Sequence, residues 1–288
     1  MSYVKAKDGT EIYYKEWGEG PVVIFSHGWP LNADMWDRQM LFLAHHGFRS
    51  VAYDRRGHSR SSQSSVHNDM DGYAEDLATV IEVLDLKEVT LVAHSNGGGD
   101  VTRYVGRHGT GRVSKVVLMA AIPPCLLQTD SNPEGLPREM FDGFLAGMFA
   151  DRSQFHRENA VRFYSANRPG AHVSQSLLDQ FWTWSMQSGL TNSYDCVRAI
   201  AETEFTEDLK KFDVPILLIH REDAHGISVQ ATSVASAQLI ENANDLYYPG
   251  APHGFVTETH HDQVNSGLLS FLSSPLIEDC TTADPPHL

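Results

Sequence analysis

Residues 88–99 read Glu88-Val89-Thr90-Leu91-Val92-Ala93-His94-Ser95-Asn96-Gly97-Gly98-Gly99. The first six are a short, almost wholly apolar run rich in β-branched residues, which predicts a buried strand. Three glycines follow directly, and the stretch from Gly99 to Gly109 has the look of a helix. A strand, a tight turn and a helix, with Ser95 at the turn, approximate the pattern G-x-S-x-G, in which the serine hydroxyl is lifted above a sheet edge. Such a turn needs very small neighbours two positions away on either side. Ala93 stands for the first glycine at the cost of one methyl, and Gly97 supplies the second. The other reading of these residues is a plain strand-ending turn.

Outward from this stretch the pattern repeats. Thr10–Trp17, Pro21–Ser26, Arg49–Tyr53 and Lys115–Ala121 read as strands. Met35–His46 and Tyr73–Leu84 carry apolar residues at helical spacing, the second through Ala74, Leu77, Ile81 and Leu84. Strands that alternate with helices and are apolar throughout predict a parallel sheet covered on both faces. The pattern breaks over residues 123–212, which read as helical and hold the aromatic clusters Phe141, Phe144, Phe149 and Phe181, Trp182, Trp184. It returns with Val214–His220, a helix over Val229–Ile240, a strand at Asp245–Tyr248 and a helix near Gln263–Leu272. The expected organisation is an α/β core (1–122 and 213–275), a helical cap (123–212) and a loose tail (276–288). No internal repeat or low-complexity block interrupts it.

Composition narrows the function classes. The 288 residues include 22 Lys and Arg against 37 Asp and Glu, a net charge of −15. That sign repels phosphate backbones and anionic lipid, so nucleic acid and membranes are poor partners and a small molecule is the expected one. Three well-separated cysteines suit neither a disulfide framework nor a metal site. The N-terminus lacks the apolar run of a signal peptide, and no stretch has the ~20 apolar residues of a membrane span. The expected location is cytoplasmic.

A serine nucleophile needs a base. Of 15 histidines, His253 is the candidate: it lies in Gly250-Ala251-Pro252-His253-Gly254, between a strand and a helical run, flanked by small or rigid residues. His45, His46, His260 and His261 read as solvated helix residues. An acyl-transfer site also needs donors for the developing oxyanion. The backbone N–H of Trp29, after the second strand, and that of Asn96, after the nucleophile, are the candidates. The aromatics Phe144, Phe181, Trp182 and Trp184 are candidates for an apolar substrate pocket under the cap, or simply for cap core.

These runs resemble the α/β-hydrolase superfamily, specifically its cofactor-free haloperoxidase and aryl-esterase branch. The resemblance is carried by Phe25-Ser26-His27-Gly28-Trp29-Pro30-Leu31-Asn32, Asp54-Arg55-Arg56-Gly57-His58, Asn68-Asp69-Met70-Asp71, Arg103-Tyr104-Val105-Gly106-Arg107-His108-Gly109, Phe205-Thr206-Glu207-Asp208-Leu209 and Gly250-Ala251-Pro252-His253-Gly254. It implies an α/β-hydrolase fold, Ser95 as nucleophile, His253 as base, and Trp29 and Asn96 as oxyanion donors. It implies hydrolysis of esters, lactones or amides, with perhydrolysis as a side activity and no metal or prosthetic group. Close relatives often assemble, so a homo-oligomer is the second partner class it implies.

One departure stands out. The family pattern after the strand ending at His220 is close to H-G-D-x-D-Q-x-x-P, with the second Asp as the triad acid. This chain reads His220-Arg221-Glu222-Asp223-Ala224-His225-Gly226-Ile227-Ser228. The acid slot holds Ala224, and the adjacent carboxylate is Asp223. Either the loop is remodelled so that Asp223 reaches the imidazole, or the acid is lost in a natural member, or an alanine was introduced to suppress turnover; the residues leave all three open. An impaired hydrolase, a non-hydrolytic enzyme on the same fold (lyase, C–C bond cleavage or cofactor-free oxygenase) and a silent ligand-binding protein therefore stand beside the active hydrolase. Dehalogenation and epoxide hydrolysis are disfavoured, because those branches use an aspartate nucleophile. A dinucleotide site lacks its G-x-G-x-x-G spacing.

Overall fold

The computed structural model of the chain describes residues 1–221 and 229–275. Among them, β1 (Ser2–Lys5), β2 (Glu11–Trp17), β3 (Val22–Ser26), α1 (Asp37–His45), β4 (Arg49–Tyr53), α2 (Met70–Val83), β5 (Val89–His94), α3 (Asn96–His108) and β6 (Val113–Met119) form the first part of the core. Then come α4 (Arg138–Phe163), α5 (Gln175–Met186), α6 (Leu190–Glu202) and α7 (Thr206–Leu209). β7 (Ile216–Arg221), α8 (Ala235–Leu239), β8 (Ala243–Tyr248) and α9 (His261–Ser273) complete the sheet and its cover. The described strands form one sheet in the order β1-β2-β4-β3-β5-β6-β7-β8. From β4 to β8 every pairing is parallel.

The sheet is mostly parallel, and its N-terminal edge is the antiparallel part. β1 pairs antiparallel with β2, and β2 antiparallel with β4. A β1–β2 turn at Lys7–Gly9 needs no crossover, so the two strands return as a hairpin rather than as a βαβ unit. The helix expected from Met35 begins as a short 3₁₀ turn, Ala33–Trp36, capped by Asn32, whose side chain accepts from the Asp34 N–H at 2.9 Å.

The central strands are apolar throughout because both faces are covered. One face packs Ile24, Leu91, Val116 and Leu218 against α2 and α3; the other packs Phe25, Val92, Val117 and Ile219 against α1 and α9. Burial on this scale is the main term that holds the fold, at roughly 25 cal/mol per Å² of apolar surface. A third cluster joins the helices between β6 and β7 to the core through Trp29, Phe141, Met148, Phe155 and Val197.

Helix α4 is two rods. Asp151 has non-helical backbone angles (φ −153°, ψ 91°), and its carboxylate accepts from the Gln154 N–H at 2.9 Å, which caps the second rod. Among the described residues no helix is long and apolar enough to cross a membrane.

Candidate active site

The parallel register sets the site. Ser26 at the end of β3 pairs with Ala93 near the end of β5, so the loops that follow these neighbouring strands leave the same edge. Ser95 follows β5 with φ +54°, a region that costs a non-glycine residue about 1–3 kcal/mol. The surroundings enforce it. A Cβ on Gly97 would lie 2.3 Å from the Ser26 carbonyl oxygen, and one on Gly28 would lie 2.8 Å from His94 Nδ1 and 3.2 Å from Ser95 Cβ. Bare glycines therefore let the β3 loop and the serine turn pass in contact.

The loop after β8 brings His253 from two strands beyond β6. Its Nε2 lies 2.9 Å from Ser95 Oγ. Three contacts hold the imidazole. The His94 Nε2–H donates to the His253 carbonyl at 2.9 Å, the Gly254 N–H donates to the Phe163 carbonyl at 2.8 Å, and the Phe163 ring stands edge-on to the imidazole, centroids 5.2 Å apart. Ser95 is 6% exposed, and both it and His253 line one cavity of about 440 Å³.

Trp29 lines that cavity from the β3 loop, and Asn96 begins α3, where helix geometry leaves the first N–H groups without a carbonyl one turn back. The Trp29 indole N–H donates to Ser193 Oγ at 3.1 Å, which ties this loop to α6. Ile122, Leu126, Phe141, Phe144, Val197 and Ile200 form the apolar wall, while Asn159, Arg162 and Asn167 supply polar lining.

Of the expected pocket aromatics, Phe144 alone borders this cavity. Phe181 is fully buried against Phe163 and Tyr164, with centroids 4.9 and 6.1 Å away. Trp182 lies under the Arg157 guanidinium at 4.3 Å and donates to Ser153 Oγ at 3.2 Å; Trp184 packs against the core behind. These three stand on α5, which packs against α4 and brings no residue to this cavity, so they pack in the interior and do not line it. Conversely, Phe163, Arg162 and Asn159 carry no sequence signal, and His94 occupies the variable position of the serine turn. Asp223 and Ala224 lie outside the described residues.

Beneath the loops is a buried polar layer. Burial, then the charges of Arg55 and His58, hold His27 well below its usual pKa and therefore neutral. Its Nε2 accepts from the Arg55 N–H at 3.0 Å, so Nδ1 carries the proton, 3.0 Å from the Gly28 carbonyl. Cys196 approaches the Asn96 side chain at 3.4 Å, and burial raises its thiol to about 11.

A strand-ending serine at positive φ and an imidazole within hydrogen-bond reach stand beside an apolar cavity; comparison with known proteins gives the family of the fold that carries them. Residues 21–258 match the model of the alpha/beta hydrolase fold. The chain belongs to the α/β-hydrolase family. Within it, this α/β-hydrolase falls in the branch of the non-heme haloperoxidases. It is 48% identical to a non-heme haloperoxidase of Rhodococcus erythropolis, over 95% of this chain and 100% of that protein. It is 46% identical to a bifunctional esterase/perhydrolase of Acinetobacter calcoaceticus, with the same coverage. The structure of a bromoperoxidase from Bacillus anthracis superimposes with a TM-score of 0.91 at 34% identity, covering 95% of this chain and 99% of that one.

Proposed function

We propose that this α/β-hydrolase cleaves small or medium carboxylic esters, lactones or amides through an acyl-enzyme on Ser95. The observation that carries the reading is the 2.9 Å contact between Ser95 Oγ and His253 Nε2 at the wall of an apolar cavity. His253 takes the hydroxyl proton as Oγ attacks the carbonyl carbon. The N–H groups of Trp29 and Asn96 donate to the oxygen as it becomes an oxyanion. His253 then protonates the leaving group. In the second half, His253 removes a proton from water, which attacks the acyl carbon and returns Ser95. Hydrogen peroxide in place of water would give a peracid, in keeping with the esterase/perhydrolase relative. The reading assigns no cofactor.

We propose Asp223 as the acid that supports His253, because it is the carboxylate next to the acid slot that Ala224 fills. A fluorophosphonate, which phosphonylates an activated serine, should label Ser95 and nothing in Ser95→Ala, read by mass spectrometry. Intact binding of an ester without any labelling would sink the acyl-enzyme reading. Asp223→Asn should lower kcat by at least about 100-fold. If it changes nothing while Ala224→Asp raises kcat toward the ~10⁴-fold that a triad acid supplies, the acid slot is vacant instead.

A further inference from the structure

We propose that the buried Arg55–Asp100 ion pair sets the distance between the two oxyanion donors, which makes Arg55 and Asp100 positioning residues for the reaction. The proposal rests on the hydrolase reading above and adds residues to it. One donor, the Trp29 N–H, belongs to the loop after β3; the other, the Asn96 N–H, belongs to α3. Nothing in the chain order links them, yet one carboxylate oxygen does. Asp100 sits on α3 one turn after Asn96. Its Oδ2 accepts from Arg55 Nε at 2.8 Å, from Arg55 Nη2 at 2.5 Å and from the Ser26 hydroxyl at 2.8 Å.

Arg55 completes the link to the loop. Its Nη2 also donates to the His27 carbonyl at 2.7 Å, and its backbone N–H donates to His27 Nε2 at 3.0 Å. The Tyr53 hydroxyl donates to Ser26 Oγ at 3.0 Å. Ser26 at the end of β3 and His27 in the loop after it are thus fastened to α3 through groups that are all 0–1% exposed. A buried ion pair is a weak source of net stability, because both charges leave water. Its value here is directional: a planar guanidinium reaches two acceptors at fixed angles, which a lysine ammonium cannot reproduce. A displacement of about 1 Å at such a site can cost about 100-fold in rate.

The next residue is a built-in control. Arg56 pairs with Asp76 at 2.8 and 2.6 Å and with Asp8 at 2.7 Å, and its side chain is 2% exposed. Among the described residues, none of its hydrogen bonds reaches residues 26–29 or α3. The two arginines share chemistry and burial and differ in what they hold.

The experiment compares Arg55→Lys with Arg56→Lys on an aryl acetate, together with the affinity of an aryl trifluoromethyl ketone, which adds to the serine and mimics the tetrahedral oxyanion. Arg55→Lys should lower kcat about 10- to 100-fold with KM within threefold, and weaken the ketone by a similar factor. Arg56→Lys should lower Tm but leave kcat and ketone affinity within threefold. The proposal is overturned if Arg55→Lys loses only Tm, or if Arg56→Lys loses ketone affinity equally. Should Arg55→Lys fail to fold, Tyr53→Phe removes one hydroxyl from the same relay. A loss of twofold to fivefold in both readouts supports the proposal, and no change refutes it. A wild-type protein that neither turns over the ester nor binds the ketone would instead count against the hydrolase reading.

Discussion

His156 should make the protein acid-sensitive, and replacing it with leucine should remove a measurable part of that sensitivity. The residue lies on the second rod of α4, wholly buried, with its ring 5.8 Å from that of Trp29 and 5.3 Å from that of Phe155. Neither ring nitrogen has a hydrogen-bond partner among the described residues. Burial first, and the nearby Arg152 charge second, hold its pKa down at about 4 against a usual 6.5. The unfolded chain binds a proton below about 6.5 and the folded chain does not until about 4. Stability is therefore whole above about pH 6.5 and falls as the pH drops toward 4. The gap corresponds to about 3 kcal/mol at ~1.4 kcal/mol per decade, of which about 2 kcal/mol is gone by pH ~5. His156→Leu keeps a similar volume and cannot titrate. Urea unfolding at a series of pH values should show the variant gaining about 2 kcal/mol relative to the parent between pH ~7.5 and ~5. His58, pulled down to about 3 by burial and then by Arg55, keeps a residual slope in both proteins. Parallel stability curves for the two proteins would refute the reasoning.

Three other changes test separate parts of the structure. Gly97→Ala should cost more than about 3 kcal/mol, or abolish soluble expression, because its methyl would meet the Ser26 carbonyl at 2.3 Å; thermal denaturation reads this. Phe144→Ala should enlarge the apolar end of the cavity, so kcat/KM rises severalfold for branched or longer acyl esters and stays within threefold for acetates. Lys115→Met should destabilise by about 1–3 kcal/mol, because Nζ donates to the carbonyls of Phe271, Leu272 and Ser274 at 2.9, 2.9 and 2.6 Å and so closes the end of α9; chemical denaturation measures the loss.

Features carried by a local pattern were legible in the chain. The serine turn was visible because strand, serine and glycines are consecutive in the chain, even though the contact that demands Gly97 comes from Ser26, and the parallel strands because two-sided burial leaves continuous apolar runs. β1 was missed: four residues with one buried side chain, Val4, give no periodicity to read. Strand direction at the β2 edge was equally invisible, since a partner's orientation is a long-range fact. The cap aromatics show a different limit. Phe144 and Phe181 are alike as residues, and only the packing of α5 behind α4 decides that one borders the cavity and the other does not. Phe163 had no signal because its role depends on meeting Gly254, ninety-one positions later.

The break at Asp151 divides labour along a single helix. The rod before it brings Met140, Phe141 and Phe144 to the cavity; the rod after it brings Asn159 and Arg162 and carries Phe163, edge-on to the His253 imidazole. The apolar and the polar lining of one cavity thus stand on opposite sides of one break. A library confined to the leading segment could retune which acyl groups are admitted while the proton-handling geometry stays in register, much as a lock can be rekeyed without refitting its bolt.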